Sequence, residues 1–278
     1  MEFTDRISRY PGRVIMRPVS GQENTFDMVR ADEPITPGTP VNKALFAGFY
    51  SEVTALQQRV DNALFEMSQR VAVGSLNTGS IIGLYENGVK VPFIVVHKNF
   101  NSTGRVLVLR KDIYKMDTLY NEGEVYYNGC KADLWLNNEY ITLLDEASRG
   151  VIQYVTIASQ AGGSDNTISR KVFFLSTREY GFSPTLSKDE GELNYYFYNQ
   201  TAQRRVALYN GTPNPHWTRT VEYGSYDTGV VTAEGVEVIG NPFTDVCGYR
   251  PAFTLPADFE VTAGMPSTAN TMATAEVI

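Results

Sequence analysis

The 278-residue chain contains only two cysteines and two histidines, which leaves little material for disulfide or soft-metal chemistry. Cys130 and Cys247 lie far apart in no Cys-x-x-Cys arrangement, which argues against a disulfide framework or a cysteine-rich metal site; both read as buried thiols. His97 falls in an apolar strand, and His216 follows Pro213-Asn214-Pro215 in what reads as a surface turn. Neither has a His-Glu-x-x-His or Gly-x-Ser-x-Gly context, so no catalytic residue is assigned. Basic charge is also short: 24 Lys and Arg against 31 Asp and Glu give a formal charge of −7 and no footprint for nucleic acid or anionic membrane. No apolar run approaches the roughly 20 residues of a membrane span, and the opening MEFTDRISRYPGR lacks the apolar stretch of a signal peptide. Folding in a cytoplasm is expected.

What is present is a globular composition, 42% hydrophobic and 12% aromatic, enough for a core. The chain is organised around residues 39–72. Phe46, Val53, Val60 and Met67 form one row and Phe49, Leu56 and Ala63 another, with spacing 3, 4, 3, 4. That spacing predicts a coiled-coil helix about 39 Å long. Leu45, Leu64 and Val71 widen the seam, which suits three strands better than two. Thr39 is placed to cap the helix and Pro40 to occupy its first position.

Residues 1–38 read as an extended arm with one hairpin, its strands around Val14–Arg17 and Thr25–Arg30. Two short strands need an outside partner for order. After the helix, 73–78 reads as a small-residue hinge, 79–262 as the head and 263–278 as a flexible tail. In the head, Ile81–Tyr85, Val89–His97 and Arg105–Arg110 read as a meander. One or two short helices follow over 132–149, then a flexible loop over 159–167 and a buried strand over 171–176. Residues 183–249 read as mostly loop, rich in tyrosine and asparagine. The expected fold class is α+β.

Four pieces of the head stand out in order: GLYENGVKVPFIVV (83–96), the Leu134–Asn138 helix, KVFFLS (171–176), and Trp217-Thr218-Arg219-Thr220 followed by Arg250-Pro251-Ala252. Together they resemble a family of uncharacterised C-type-lectin-like domains found in phage tail and bacterial surface proteins. The resemblance implies a C-type-lectin-like α+β head. The arm, through YPGRV and RADEP…GTP-x-N-K, is similar to the opening of tail fibre and baseplate-associated proteins of phages of Gram-positive hosts. Together these imply a homo-oligomer, most simply a trimer, located in a virion tail, docked on other tail proteins by residues 1–38 and adhering to a host surface glycan or protein.

The candidate receptor-contacting residues are Tyr209, Asn210, Asn214, His216, Tyr223, Tyr226 and Asp227, because tyrosine gives large amphipathic contacts and asparagine adaptable hydrogen bonds. Phe46, Phe49, Val53, Leu56, Val60, Ala63 and Met67 are the candidate oligomerisation residues. Trp217 reads as core, and Arg219 or Arg250 as held by a buried acceptor. Asn241 and Asp245 offer oxygen ligands, but calcium takes six or more, and the lectin-like calcium tripeptides are absent; no metal or cofactor is expected. The carboxylates Asp189, Glu190 and Glu192 keep a glycan hydrolase open as an alternative, beside a purely structural tail component.

Overall fold

The structure is a computed structural model that describes residues 7–8, 14–23, 25–30, 34–36, 43–68, 70–117, 120, 126–161, 164–183, 190–222 and 227–263. The Thr39-Pro40 cap, residues 10–13 of the YPGRV piece of the arm, Asp189 and the tail beyond 263 lie outside the described residues. The chain divides into two compact units, residues 1–65 and 66–278.

In the first unit Val14–Pro18 pairs antiparallel with Phe26–Arg30, and Ile7–Ser8 with Pro34–Thr36. The helix runs Lys43–Ser68, 26 residues. Its apolar residues are uncovered: Phe46, Phe49, Tyr50, Val53, Leu56, Val60, Leu64, Phe65 and Met67 are between 46% and 74% exposed. The coiled coil is therefore not a feature of this chain's fold. A coiled coil requires a second helix in the seam, and here the seam faces outward.

The second unit is built mainly from two sheets. In the larger, Val172–Phe173, Ala252–Pro256, Arg105–Arg110, Val89–His97, Ile81–Glu86, Glu260–Ala263 and Arg70–Ala72 lie side by side in that order. Asn87 and Gly88, both at positive φ (52° and 74°), close the Ile81–Glu86/Val89–His97 hairpin. This two-residue turn has the backbone twist that hairpins favour. In the smaller sheet the order is Glu237–Gly240, Thr228–Val231, His216–Val221, Cys247–Tyr249 and Lys115–Asp117. One core serves both sheets. Phe93, Val95, Val108, Phe173, Phe174, Trp217, Tyr249 and Phe253 are completely buried in it.

The α+β assignment and the lectin-like head are corrected by this architecture. Strand makes up 37% of the structure against 25% helix, and the longest helical run of the second unit, Lys131–Leu143, has 13 residues. The fold is β-rich. Two segments account for much of the difference. Residues 159–161 and 164–167, expected as part of a loop, lie in the paired strands Val155–Ala161 and Ser164–Arg170. Residues 183–249, expected as mostly loop, supply four of the five strands of the smaller sheet. The reading failed there because strand His216–Val221 buries polar residues, which composition assigns to loops. Thr218 Oγ1 donates to the Gly229 carbonyl at 2.8 Å, so the hydroxyl is satisfied inside the core. The segment expected as a hinge is also packed: Val73 is fully buried, and a Cβ on Gly74 would lie 2.7 Å from that of Ala257.

Candidate functional site

The Tyr209, Asn210 and Asn214 candidates come together on a small hairpin, Ala207–Tyr209 with Thr212–Asn214. Asn210 and Gly211 turn it with φ of 50° and 80°. Asn210 is exposed, while Tyr209 and Asn214 are half-buried. Asp227 is half-buried just before strand Thr228–Val231, and Tyr223 and Tyr226 lie outside the described residues. His216 is not a surface residue. It is fully buried at the start of a wholly buried strand, with the Tyr180 ring edge-on at 5.4 Å. Burial first, and Arg250 second, hold its pKa well below the usual 6.5, so the ring is neutral. A neutral, enclosed imidazole cannot contact a receptor, and it is withdrawn from the candidate set.

The remaining charged clusters hold the fold together. Arg219 and Glu179, each fully buried, pair at 2.6 and 2.7 Å. Arg110 donates twice to Glu86, at 3.1 and 3.0 Å, and the Tyr140 hydroxyl donates to the same carboxylate at 2.7 Å. Arg170 grips Asp133 at 2.6 and 2.7 Å beside the Lys131–Leu143 helical run. Arg250 donates to the carbonyls of Arg110, Arg205 and Lys111. Each of these side chains is occupied within the protein, as expected for buried charge. Of the carboxylates weighed above for a glycan hydrolase, Glu190 is buried and Glu192 is exposed.

Burial pushes both thiols up to about 12. Cys130 Sγ accepts from the Asp133 amide and so caps a helix. His97 Nδ1 is 3.2 Å from Asn194 Oδ1. Among the described residues no group of three or more His, Cys, Asp or Glu side chains is placed to hold a metal ion. Asp245, weighed above as a ligand, instead accepts from the Asn241 amide at 2.8 Å, and Asn241 Oδ1 accepts from Phe243 at 2.9 Å, which folds the turn.

That turn borders an open groove. Strand Glu237–Gly240 is the outermost of the smaller sheet. Beside it lies a cavity of about 390 Å³ whose lining includes Pro215, Val230, Val238, Ile239, Asp245 and Cys247. Val236, Val238, Ile239, Phe243 and Val246 are all between 37% and 49% exposed. Gly240 keeps the groove floor flat: a Cβ there would stand 3.0 Å from Val230, 3.1 Å from Asp245 and 3.2 Å from Trp217. The sequence reading passed over this strand, although Val-Glu-Val-Ile between Gly235 and Gly240 is a β-branched run bounded by turn residues.

The second unit thus pairs its buried charges internally and leaves an open, partly apolar groove next to the outermost strand of the smaller sheet. The chain belongs to the family of a domain of unknown function, DUF6273, which matches residues 103–257. The match takes in the smaller sheet, the Arg219–Glu179 pair and the groove. Nothing matches the chain among curated proteins or among solved structures. No helix among the described residues is long and apolar enough to cross a membrane.

Proposed function

We propose that the protein is a host-adhesion component of a phage tail. Several copies associate through the apolar side of helix Lys43–Ser68 and present their DUF6273-containing units to a surface polymer or protein. The observation that carries this reading is the uncovered helix. Its nine exposed large apolar side chains offer roughly 800 Å² of contact surface, about one partner's share of a standard interface. Surface of that extent on one helix is an association site rather than solvent-adapted surface. Further copies are the simplest occupant, because every copy carries the same exposed apolar side chains. The resemblance of the arm to tail-attachment segments supports placing the assembly on a tail.

Assembly serves adhesion by making each further contact intramolecular, so weak individual sites sum to strong attachment. The test is sedimentation of the full chain at micromolar concentration, together with adsorption to candidate Gram-positive cells. An oligomer, with Leu56→Glu/Val60→Glu sedimenting as a monomer and adsorbing at least tenfold less, is the expected outcome. A monomeric wild-type chain, or undiminished adsorption by the monomeric variant, would overturn it.

A further inference from the structure

We infer that the turn at residues 194–200 is a glycan-binding platform: Tyr195 and Tyr198 stack on the rings of a sugar chain, and Arg204 holds its phosphate or carboxylate groups. The turn is one helical loop of chain, in which the Asn194 carbonyl accepts from the Phe197 amide at 2.9 Å and the Tyr198 amide at 3.1 Å. Residues three apart on such a turn lie on the same side. Tyr195 and Tyr198 are so spaced and are 70% and 51% exposed, whereas Phe197 between them is fully buried.

The platform is held from below. Asn194 is fully buried, with Nδ2 donating to the Glu179 carbonyl at 3.2 Å and Oδ1 3.2 Å from His97 Nδ1. Phe197 packs on the Tyr180 ring at 4.9 Å, and the Tyr196 amide donates to the Val96 carbonyl at 3.4 Å. Tyr195 leans on the His97 ring, with 5.2 Å between centres. Rings fixed in this way lose little freedom when a ligand arrives.

The surroundings of the two rings select the ligand. Among the described residues no other large hydrophobic side chain between 183 and 235 is exposed, so the rings do not sit in an aliphatic patch of the kind a protein partner buries. Asn199, Gln200 and Thr201 follow them directly and are exposed. A sugar matches that mixture. Its C–H face carries partial positive charge and lies on the negative face of an aromatic ring, while its hydroxyls take hydrogen bonds at the rim.

Charge narrows the choice further. From Tyr195 to Arg205 the chain has two arginines and no acid, although its net charge is −7. Arg205 is used internally: its Nε donates to the Tyr180 carbonyl at 2.6 Å, and its guanidinium lies over the Phe182 ring at 4.4 Å. Arg204 is exposed, lies over the Tyr196 ring at 5.1 Å and donates Nη1 to the Tyr196 carbonyl at 3.2 Å. These contacts fix a planar donor fork next to the turn, and such a fork recognises phosphate and carboxylate oxygens. Two rings and one cation make a weak site, which suits a repeating polymer met by several copies.

The inference deepens the adhesion reading and rests on it only for the cellular role of the site; the assay uses purified glycans and no cells, so the two fail separately. Full-length protein is applied to an array of neutral and of phosphate- or carboxylate-bearing glycans, and short fragments of the strongest binders are titrated by calorimetry. Anionic glycans are expected to lead. Tyr195→Ala and Tyr198→Ala should each weaken binding at least tenfold with thermal unfolding unchanged, and Tyr198→Phe less than threefold. Arg204→Gln should weaken binding of the charged glycans about fivefold at low salt and less at high salt, and leave neutral counterparts unaffected. Tyr154→Ala, which removes a comparably exposed ring outside the turn, should change nothing. No glycan bound, undiminished binding by both alanine variants, or polyglutamate bound as tightly as the anionic glycans would overturn the inference, the last by making an acidic peptide the ligand.

Discussion

Replacing Arg219 by methionine is the sharpest test of what holds the second unit together. A guanidinium has five N–H donors, and all five are used. Nε donates to the Ala158 carbonyl at 2.8 Å; Nη1 donates to the Phe174 carbonyl at 2.8 Å and Glu179 Oε2 at 2.6 Å; Nη2 donates to Glu179 Oε1 at 2.7 Å and the Glu190 carbonyl at 3.4 Å. These acceptors belong to four separate stretches of chain. In Arg219→Met the Glu179 carboxylate stays buried, with the Ser176 amide at 3.1 Å still donating to it. Removing one member of a buried pair costs about 3–5 kcal/mol, because the partner's charge is left uncompensated. Urea unfolding followed by the fluorescence of the buried Trp217 should show a loss of about 4 kcal/mol at neutral pH. Arg219→Met/Glu179→Met removes both charges and should recover at least about 2 kcal/mol of that loss. A single variant within about 1 kcal/mol of wild type, or a double variant at the sum of the two singles, would refute the reasoning.

Three further outcomes follow from burial. His216 is held neutral in the folded protein with a lowered pKa, so its contribution is intact above pH 6.5 and is lost as the pH falls below that value. Between pH 6.5 and 5.5, wild type should lose up to about 1 kcal/mol more than His216→Gln, measured as the difference between their unfolding free energies. With both thiols raised from 9.0 to about 12, a disulfide reagent at pH 8 should label them about 1,000-fold more slowly in the native protein than in guanidinium. Equal rates would show that the thiols are not enclosed. Gly235 sits at φ +79° with the Ala202 carbonyl where a Cβ would go, whereas Gly88, at φ +74°, faces open space. Thermal unfolding should therefore place Gly235→Ala well below Gly88→Ala, whose cost is about 1 kcal/mol.

How much of this was legible depended on whether the signal was local. Asn87-Gly88 announces its own turn, and the flanking strands fall within a residue of where the alternation puts them. Trp217 is core and Arg219 has a buried acceptor, as a large indole and a charge inside an apolar strand require. By contrast, the strands between 183 and 249 carry polar residues whose partners are distant in sequence. Thr220 Oγ1 accepts from the Thr177 amide at 3.0 Å, and Arg219 reaches back to Ala158. Nothing in the segment itself separates a satisfied buried threonine from a loop threonine. His216 was misplaced for the same reason: Pro213 and Pro215 suggest an exposed turn, but the small hairpin ends at Asn214 and the next strand begins at once inside the core.

The two exposed apolar surfaces show the same contrast. The helix face is legible because the 3, 4 spacing is written along the chain, and solvent exposure of Phe46 through Met67 adds the point that nothing among the described residues covers it. The Glu237–Gly240 edge is not legible, because a strand becomes an edge only through its place in the sheet order, and that order is set by pairings spanning residues 115–249. A run such as Val-Glu-Val-Ile reads alike in the middle of a sheet and at its margin. In the middle its side chains are core and their replacement by lysine unfolds the protein; at the margin lysine is the ordinary protective residue. Ile239→Lys therefore separates the two cases: retained thermal stability places the strand at the margin, and unfolding places it in the interior.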